Sequence, residues 1–280
     1  MNQKYVVDRQ WLSSQLDNPQ VVIVDCRFKL SDPNWGKEQY NLSHIKGAYY
    51  LSLDRDLSSG IQPHGGRHPL PDIAKLAQKF TSMGIVTDET LVVAYDDSRF
   101  AFASRLWWLL RYLGHDRVVL LDGGWQDWIE HDCPITNNIP ENKSGDFLPQ
   151  PNTDWVVDIK MVKSAQNKDE IVIVDSRDSD RYLGAREPID PVAGSIDGAV
   201  NSPWKKVTNE SGFLNPIEIQ QQLWDDYQDA EEIIVYCGSG VTACVNLFSL
   251  NTIGMDNVKL YPGGWSDWCS YLTDVTNSDS

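Results

Sequence analysis

Short apolar runs separated by amphipathic stretches organise this chain. "VVIV" (21–24), "TLVVAY" (90–95), "RVVLL" (117–121), "IVIV" (171–174), "EIIVY" (232–236) and "NVKLY" (257–261) are brief, mostly continuous and rich in β-branched residues. Such runs predict strands buried on both faces, as in a parallel sheet, since alternation is needed only where one face meets water. Between them, "IAKLAQKFTSMG" (73–84) and "SRLWWLLRYLG" (104–114) carry apolar residues at helical spacing. Each closes on a glycine, Gly84 and Gly114, where a helix commonly turns left-handed. Strand alternating with helix predicts α/β domains, each a mainly parallel sheet flanked by helices.

The pattern occurs twice. "VVIVDCRF" (21–28) matches "IVIVDSRD" (171–178), so Asp25 pairs with Asp175. "HIKGAYYLSL" (44–53) resembles "SIDGAVNSPW" (195–204), and "LDGGWQDW" (121–128) resembles "YPGGWSDW" (261–268). Landmarks recurring in one order, with G-G-W-x-D-W among them, indicate a duplicated domain. The stretch 137–153, with three prolines and polar filler, reads as the connection. The expected division is a first domain over 1–137, a linker over 138–153 and a second domain over 154–280.

Charge narrows the partners. Lys and Arg number 24 against 40 Asp and Glu, a net charge of -16. Nucleic acids and anionic membranes need a basic face, so neither is expected as a partner. A small anionic substrate would need a local cluster of arginines working against that field. No apolar run reaches the ~20 residues of a membrane span, and "MNQKYVVDRQ" lacks the apolar centre of a secretory leader. The five cysteines, Cys26, Cys133, Cys237, Cys244 and Cys269, are scattered and form no C-x-x-C pair. That pattern supports neither a zinc site nor a dithiol motif, so no metal or cofactor is expected, and it suits the reducing cytoplasm.

One cysteine has a distinctive setting. "YCGSGVTA" (236–243) follows the run 232–236 and precedes the helix-like "CVNLFSLNTIG". Strand, glycine turn and helix form an anion cradle: small residues let successive backbone N–H groups converge, and the helix adds its positive end. Gly238 and Gly240 suit that turn. A thiol at its mouth would be stabilised as thiolate and made nucleophilic. An inert cysteine buried at a strand end is the alternative, but it leaves the glycines and hydroxyls unexplained. In the first copy "YDDSRFAF" (95–102) aligns with this loop, placing Asp96 opposite Cys237 without the glycines. One copy therefore reads as active and the other as having lost both thiol and cradle.

With "CGSGVTA", "DSRDSDRYLG", "HIKGA", "RLWWLLRYLGH" and the doubled G-G-W-x-D-W, the chain resembles two-domain rhodanese-type sulfurtransferases over essentially its whole length. These act on thiosulfate or 3-mercaptopyruvate, and the neutral loop resembles the mercaptopyruvate branch. The resemblance implies that Cys237 takes sulfur from a donor, holds it as a persulfide and passes it to a thiol or cyanide. A small-molecule thiol or a thioredoxin-like protein would then be the acceptor, and the first domain would be catalytically silent. Thiosulfate as donor, or a non-enzymatic persulfide carrier, are the alternatives. A phosphatase of the C-x5-R type is excluded because Ala243 stands where its arginine belongs.

The resemblance also suggests a site. N–H groups from Gly238 through Ser239, Gly240 and Val241 to Thr242 would cradle the outer sulfur. Ser239 is a catalytic candidate, and both Ser239 and Thr242 have helix capping as the alternative. Arg181, in "DRYLG", matches the family's donor-binding arginine. A second arginine is usual further on, but Ile189 occupies its place, so Arg186 is the substitute expected here. His68, in "HPLP", matches a family histidine that serves a proton relay, with an exposed loop histidine as the alternative. The tryptophans of the repeated frame read as packing residues.

Overall fold

The computed structural model describes residues 5–166 and 168–278, with side chains through residue 272. The first four residues, residue 167 and the last two, which the expected domains include, lie outside the described residues. Contacts divide the chain into two compact units. The first comprises Met1–Ser59, Pro71–Asn152 and Thr208–Leu214; the second comprises Gly60–Leu70, Thr153–Val207 and Asn215–Ser280.

The first unit holds strands β1 (Val6–Val7), β2 (Val21–Asp25), β3 (His44–Ile45), β4 (Tyr49–Tyr50), β5 (Leu91–Tyr95), β6 (Val118–Leu121) and β7 (Ile135–Thr136). Five form a sheet in the order β1-β6-β5-β2-β4, every pair parallel, while β3 and β7 make a small antiparallel ribbon. The second unit holds β8 (Ile171–Asp175), β9 (Val200–Asn201), β10 (Glu232–Tyr236) and β11 (Val258–Leu260) in a parallel sheet ordered β11-β10-β8-β9. The predicted α/β class is thus what the chain adopts. The predicted helices form over Ile73–Ser82 and Ala103–Tyr112, and Gly84 and Gly114 follow them, each with φ of +84°. Among the described residues no helix is long and apolar enough to cross a membrane.

The register repeats as well. Asp25 lies opposite Tyr95, and Asp175 opposite Tyr236, so both pairs sit at carboxyl edges. Each aspartate binds the arginine two residues on, Arg27 at 2.7 Å and Arg177 at 2.6 Å, with all four side chains buried. Arg27 lies 4.0 Å over Trp125 and Arg177 4.9 Å over Trp265. The repeated D-x-R and G-G-W motifs thus build one buried frame, and removing either partner of the ion pair would strand a charge in the core. The second glycine of each G-G-W has a positive φ, +55° at Gly124 and +58° at Gly264. A Cβ there would run into the backbone oxygen of Asp96 or Cys237, respectively. Each motif thereby presses a helix start against the loop leaving the central strand.

Two findings differ from the expected division. The polar stretch after residue 137 packs onto the first unit: Lys143 N–H bonds Ser82 O at 2.8 Å and Gln150 N–H bonds Leu113 O at 2.8 Å. Phe147 is buried against Phe80. In addition, Gly60–Leu70 belongs to the second unit although it lies in the first sequence repeat, and Thr208–Leu214 does the reverse. Backbone hydrogen bonds of this kind leave no periodic trace in the side chains.

The second of these segments yields a pH prediction. Leu214 donates its N–H to Asp122 Oδ1 at 2.7 Å. Burial raises the Asp122 carboxyl to about 6, against the opposing pull of that N–H. The folded value lies above the ordinary ~3.9, so the acid form favours folding; this stability is present below about pH 4 and lost as pH rises to about 6. Asp122→Asn keeps an acceptor for Leu214. It should stabilise the first unit by about 1–2 kcal/mol at pH 7–8, after allowance for partial exposure, and by nothing near pH 4. Melting curves at the two pH values check this, and a pH-independent difference would refute it.

Candidate active site

The central strand β10 delivers Cys237 directly beyond its buried end, with only 2% of the residue exposed. The chain then turns through Gly240, at φ +71°, into the helix Ala243–Thr252. Nine of that helix's ten residues are buried, and the polar ones among them, such as Asn246 and Ser249, are hydrogen-bonded. The loop is held from the G-G-W helix: Trp265 N–H bonds Cys237 O at 2.8 Å, and Ser266 N–H bonds Gly238 O at 2.9 Å. Val241 is buried, and Thr242 makes no side-chain cap bond to the helix it precedes.

The first unit shows what this loop geometry does. Asp96 leaves β5 as Cys237 leaves β10 and is buried to 2%. Its carboxylate accepts four backbone N–H bonds, from Ser98 (2.8 Å), Phe100 (3.1 Å), Phe102 (2.8 Å) and Ala103 (2.8 Å). The expectation that this copy had lost the cradle is therefore corrected: the cradle persists and is filled by its own aspartate. Arg99 and Phe100 take positive φ of 59° and 70° there, so convergence does not require glycine. The sequence comparison missed this because it equated the cradle with its glycines.

The segment Gly60–Leu70 meets the Cys237 loop within the second unit. His68 Nδ1 lies 2.7 Å from Ser239 Oγ, and both residues are buried. The Ser239 hydroxyl thus has a histidine partner. Three bonds anchor the segment to the second G-G-W-x-D-W helix. Gly65 N–H reaches Asp267 Oδ1 at 2.7 Å, Arg67 N–H reaches Ser266 Oγ at 3.1 Å, and His64 Nδ1 lies 2.7 Å from Ser270 Oγ. His68 is therefore no free loop residue.

An acid–arginine network flanks the loop. Arg181 bonds Glu187 through Nε (3.1 Å) and Nη2 (2.7 Å), and Asp190 through Nη2 (3.0 Å). Arg177 reaches Glu187 at 3.2 Å in addition to its bond to Asp175, so its role is structural. Arg67 is ion-paired to Asp190. Burial would raise the Glu187 carboxyl, but bonds from Arg181 and from the N–H groups of Asp190 and Ile189 outweigh it and hold the acid below its ordinary value. At Asp190 burial wins and the carboxyl is raised, despite Arg67 and Arg181. A Cβ on Gly238 would lie 2.9 Å from Arg67 Nη2 and 3.6 Å from Arg181 Nη1, so both guanidinium groups adjoin the residue after Cys237. Arg186 sits differently: its side chain is 52% exposed and bonds Asp180 at 2.6 Å. Ile189 is exposed. Arg67 escaped the sequence reading because it lies far from "DRYLG" in the chain, with only its neighbour His68 as a signal.

Three of the four remaining thiols are buried and placed less well for chemistry. Burial, reinforced by Asp25, Asp96 and Asp56, pushes Cys26 well above its ordinary value. Burial lifts Cys269 to about 11. The Cys244 thiol donates to Gly240 O at 3.5 Å.

Two parallel-sheet units with a cysteine on a strand-to-helix cradle define the class. Residues 8–131 and 158–271 both match the rhodanese-like domain, and the chain belongs to the rhodanese family. It is 40% identical over 273 residues to a probable 3-mercaptopyruvate sulfurtransferase of Pseudomonas aeruginosa, covering 96% of both chains. It is 35% identical over 254 residues to a putative thiosulfate sulfurtransferase of Mycobacterium tuberculosis, covering 89% of this chain and 88% of that one. The solved 3-mercaptopyruvate sulfurtransferase of Leishmania major superposes with a TM-score of 0.82 at 27% identity, over 99% of this chain and 78% of that one.

Proposed function

We propose that this chain is a sulfurtransferase that moves sulfur from 3-mercaptopyruvate to a thiol or cyanide through a persulfide on Cys237. The observation that carries the reading is the pair of equivalent loops. In one, four N–H groups grip an internal carboxylate; in the other, a thiol stands where that carboxylate begins. The same cradle would receive the anionic outer sulfur of a persulfide. The first unit then serves as the silent partner, since Asp96 occupies its own cradle. We take the domains as those expected, 1–137 and 154–280, with Gly60–Leu70 exchanged to the second and the stretch after 137 and Thr208–Leu214 to the first. Five free cysteines suit a reducing compartment, and we place the protein in the cytoplasm.

The transfer balances without a cofactor. The Cys237 thiolate attacks the donor's sulfur, a sulfur–sulfur bond forms, and the carbon–sulfur bond breaks with its electron pair on the pyruvate methylene. The proton of the donor thiol ends on that carbon, leaving pyruvate and an anionic persulfide. The Ser239–His68 pair is the relay for this proton. Acceptor thiolate then takes the outer sulfur and regenerates Cys237.

The test is intact mass after mixing with 3-mercaptopyruvate or thiosulfate, followed by kcat/KM for each donor with one thiol acceptor. One added sulfur and a preference for mercaptopyruvate are expected. No sulfur gained from either donor would refute the function, and a preference for thiosulfate would reassign the donor. The relay has its own test. Thiosulfate leaves as sulfite, which needs no proton on carbon. His68→Ala and Ser239→Ala should therefore lower mercaptopyruvate turnover by roughly 10²–10⁴-fold and thiosulfate turnover far less. Equal losses with both donors would remove the relay.

A further inference from the structure

We propose that Arg67, carried on the segment Gly60–Leu70, is the second guanidinium that binds the donor's carboxylate, acting with Arg181. The inference rests on the sulfur-transfer reading above. The resemblance called for a second arginine where Ile189 stands, and Arg186 is half exposed and bound to Asp180. Arg67 instead lies beside the loop.

Gly238 records this proximity. Its φ lies outside the left-handed range, so its backbone conformation does not demand glycine. What lies beside it are two guanidinium ends: a Cβ would sit 2.9 Å from Arg67 Nη2 and 3.6 Å from Arg181 Nη1. Asp190 orients the two arginines by giving one carboxylate oxygen to each, Oδ1 to Arg67 and Oδ2 to Arg181. Glu187 takes Nε and Nη2 of Arg181. The atoms nearest Gly238, Arg67 Nη2 and Arg181 Nη1, have no hydrogen-bond partner among the described residues. Two charged donors are thus held from behind by buried acids and present N–H groups beside the residue following the thiol. A carboxylate can bridge such a pair through charge-assisted bonds.

Charge also favours this donor class. Arg67 and Arg181 balance Glu187 and Asp190, so the quartet is neutral before the donor arrives. A monoanionic 2-oxo carboxylate brings one charge into it, whereas thiosulfate brings two. Charge carried into a partly buried site without compensation is costly.

The experiment uses full-length Arg67→Met and Arg67→Lys with 3-mercaptopyruvate and a fixed thiol acceptor. Pyruvate, which keeps the carboxylate and lacks the sulfur, serves as competitive inhibitor. Losing one charge-assisted contact should raise the donor KM roughly 10- to 100-fold in Arg67→Met, with a smaller fall in kcat. The pyruvate inhibition constant should rise by the same factor, and Arg67→Lys should recover part of both. A donor KM and pyruvate inhibition constant within twofold of wild type would overturn the assignment while leaving the sulfur-transfer reading intact. A fall in kcat alone would also overturn it, since that marks a displaced His68. A wild type inactive with either donor would overturn both.

Discussion

Cys237→Ser will lose sulfur transfer by about four orders of magnitude or more, as removal of a catalytic nucleophile does, and will gain no sulfur from 3-mercaptopyruvate. Serine matches the shape of the thiol, so the buried loop should keep its bonds to Trp265 and Ser266. What changes is ionisation, because a hydroxyl supplies almost no anion at neutral pH and sulfur chemistry proceeds through the thiolate. Three of the other cysteines are poor substitutes, and Cys133 belongs to the first unit, whereas the Cys237 loop belongs to the second. Cys26 and Cys269 are held protonated by burial, and Cys244 is a buried donor to Gly240. Intact mass and steady-state turnover decide the matter. Persulfide retained on the serine variant would locate the chemistry elsewhere.

The second large effect is expected at Gly240. Its φ of +71° costs a β-branched residue about 1–2 kcal/mol, and a Cβ would lie 2.7 Å from Pro262 Cα and 2.8 Å from its carbonyl carbon. Those are backbone atoms directly ahead of Gly263–Gly264, which themselves press on the loop, so nothing flexible can yield. Gly240→Val should destabilise the second unit by about 2–5 kcal/mol and open the cradle, with turnover falling accordingly. Gly254 separates the two causes, for it has φ +81° and nothing within 4 Å of a Cβ. Gly254→Ala should cost only about 1 kcal/mol and leave turnover unchanged. A Gly240→Val protein that melts and turns over like wild type would show that the loop does not need this close approach.

What the sequence by itself determined is local. The six apolar runs found their strands, helix-closing glycines fell at Gly84 and Gly114, and the duplication was legible from D-x-R and G-G-W-x-D-W. The loop 237–242 stood out because a cysteine, two glycines and two hydroxyls lie within a few residues of a strand end. Period and turn chemistry act over one or two turns of chain, so they leave a readable pattern. Only the tertiary structure decided the rest. It filled the first cradle with the Asp96 carboxylate, brought His68 to Ser239 and placed Arg67 beside Gly238, while Arg186 turned to Asp180 at the surface. It also assigned Gly60–Leu70 and Thr208–Leu214 to the units opposite their sequence repeats. The contacts that place His68 and Arg67 join residues more than a hundred positions apart, whereas Asp96 and Arg186 bond within seven residues but through side chains whose direction only the folded loop sets. A polar stretch such as "HGGRHPLP" carries no periodicity to announce where it docks; its place is set by the acids and N–H groups that the folded second unit presents.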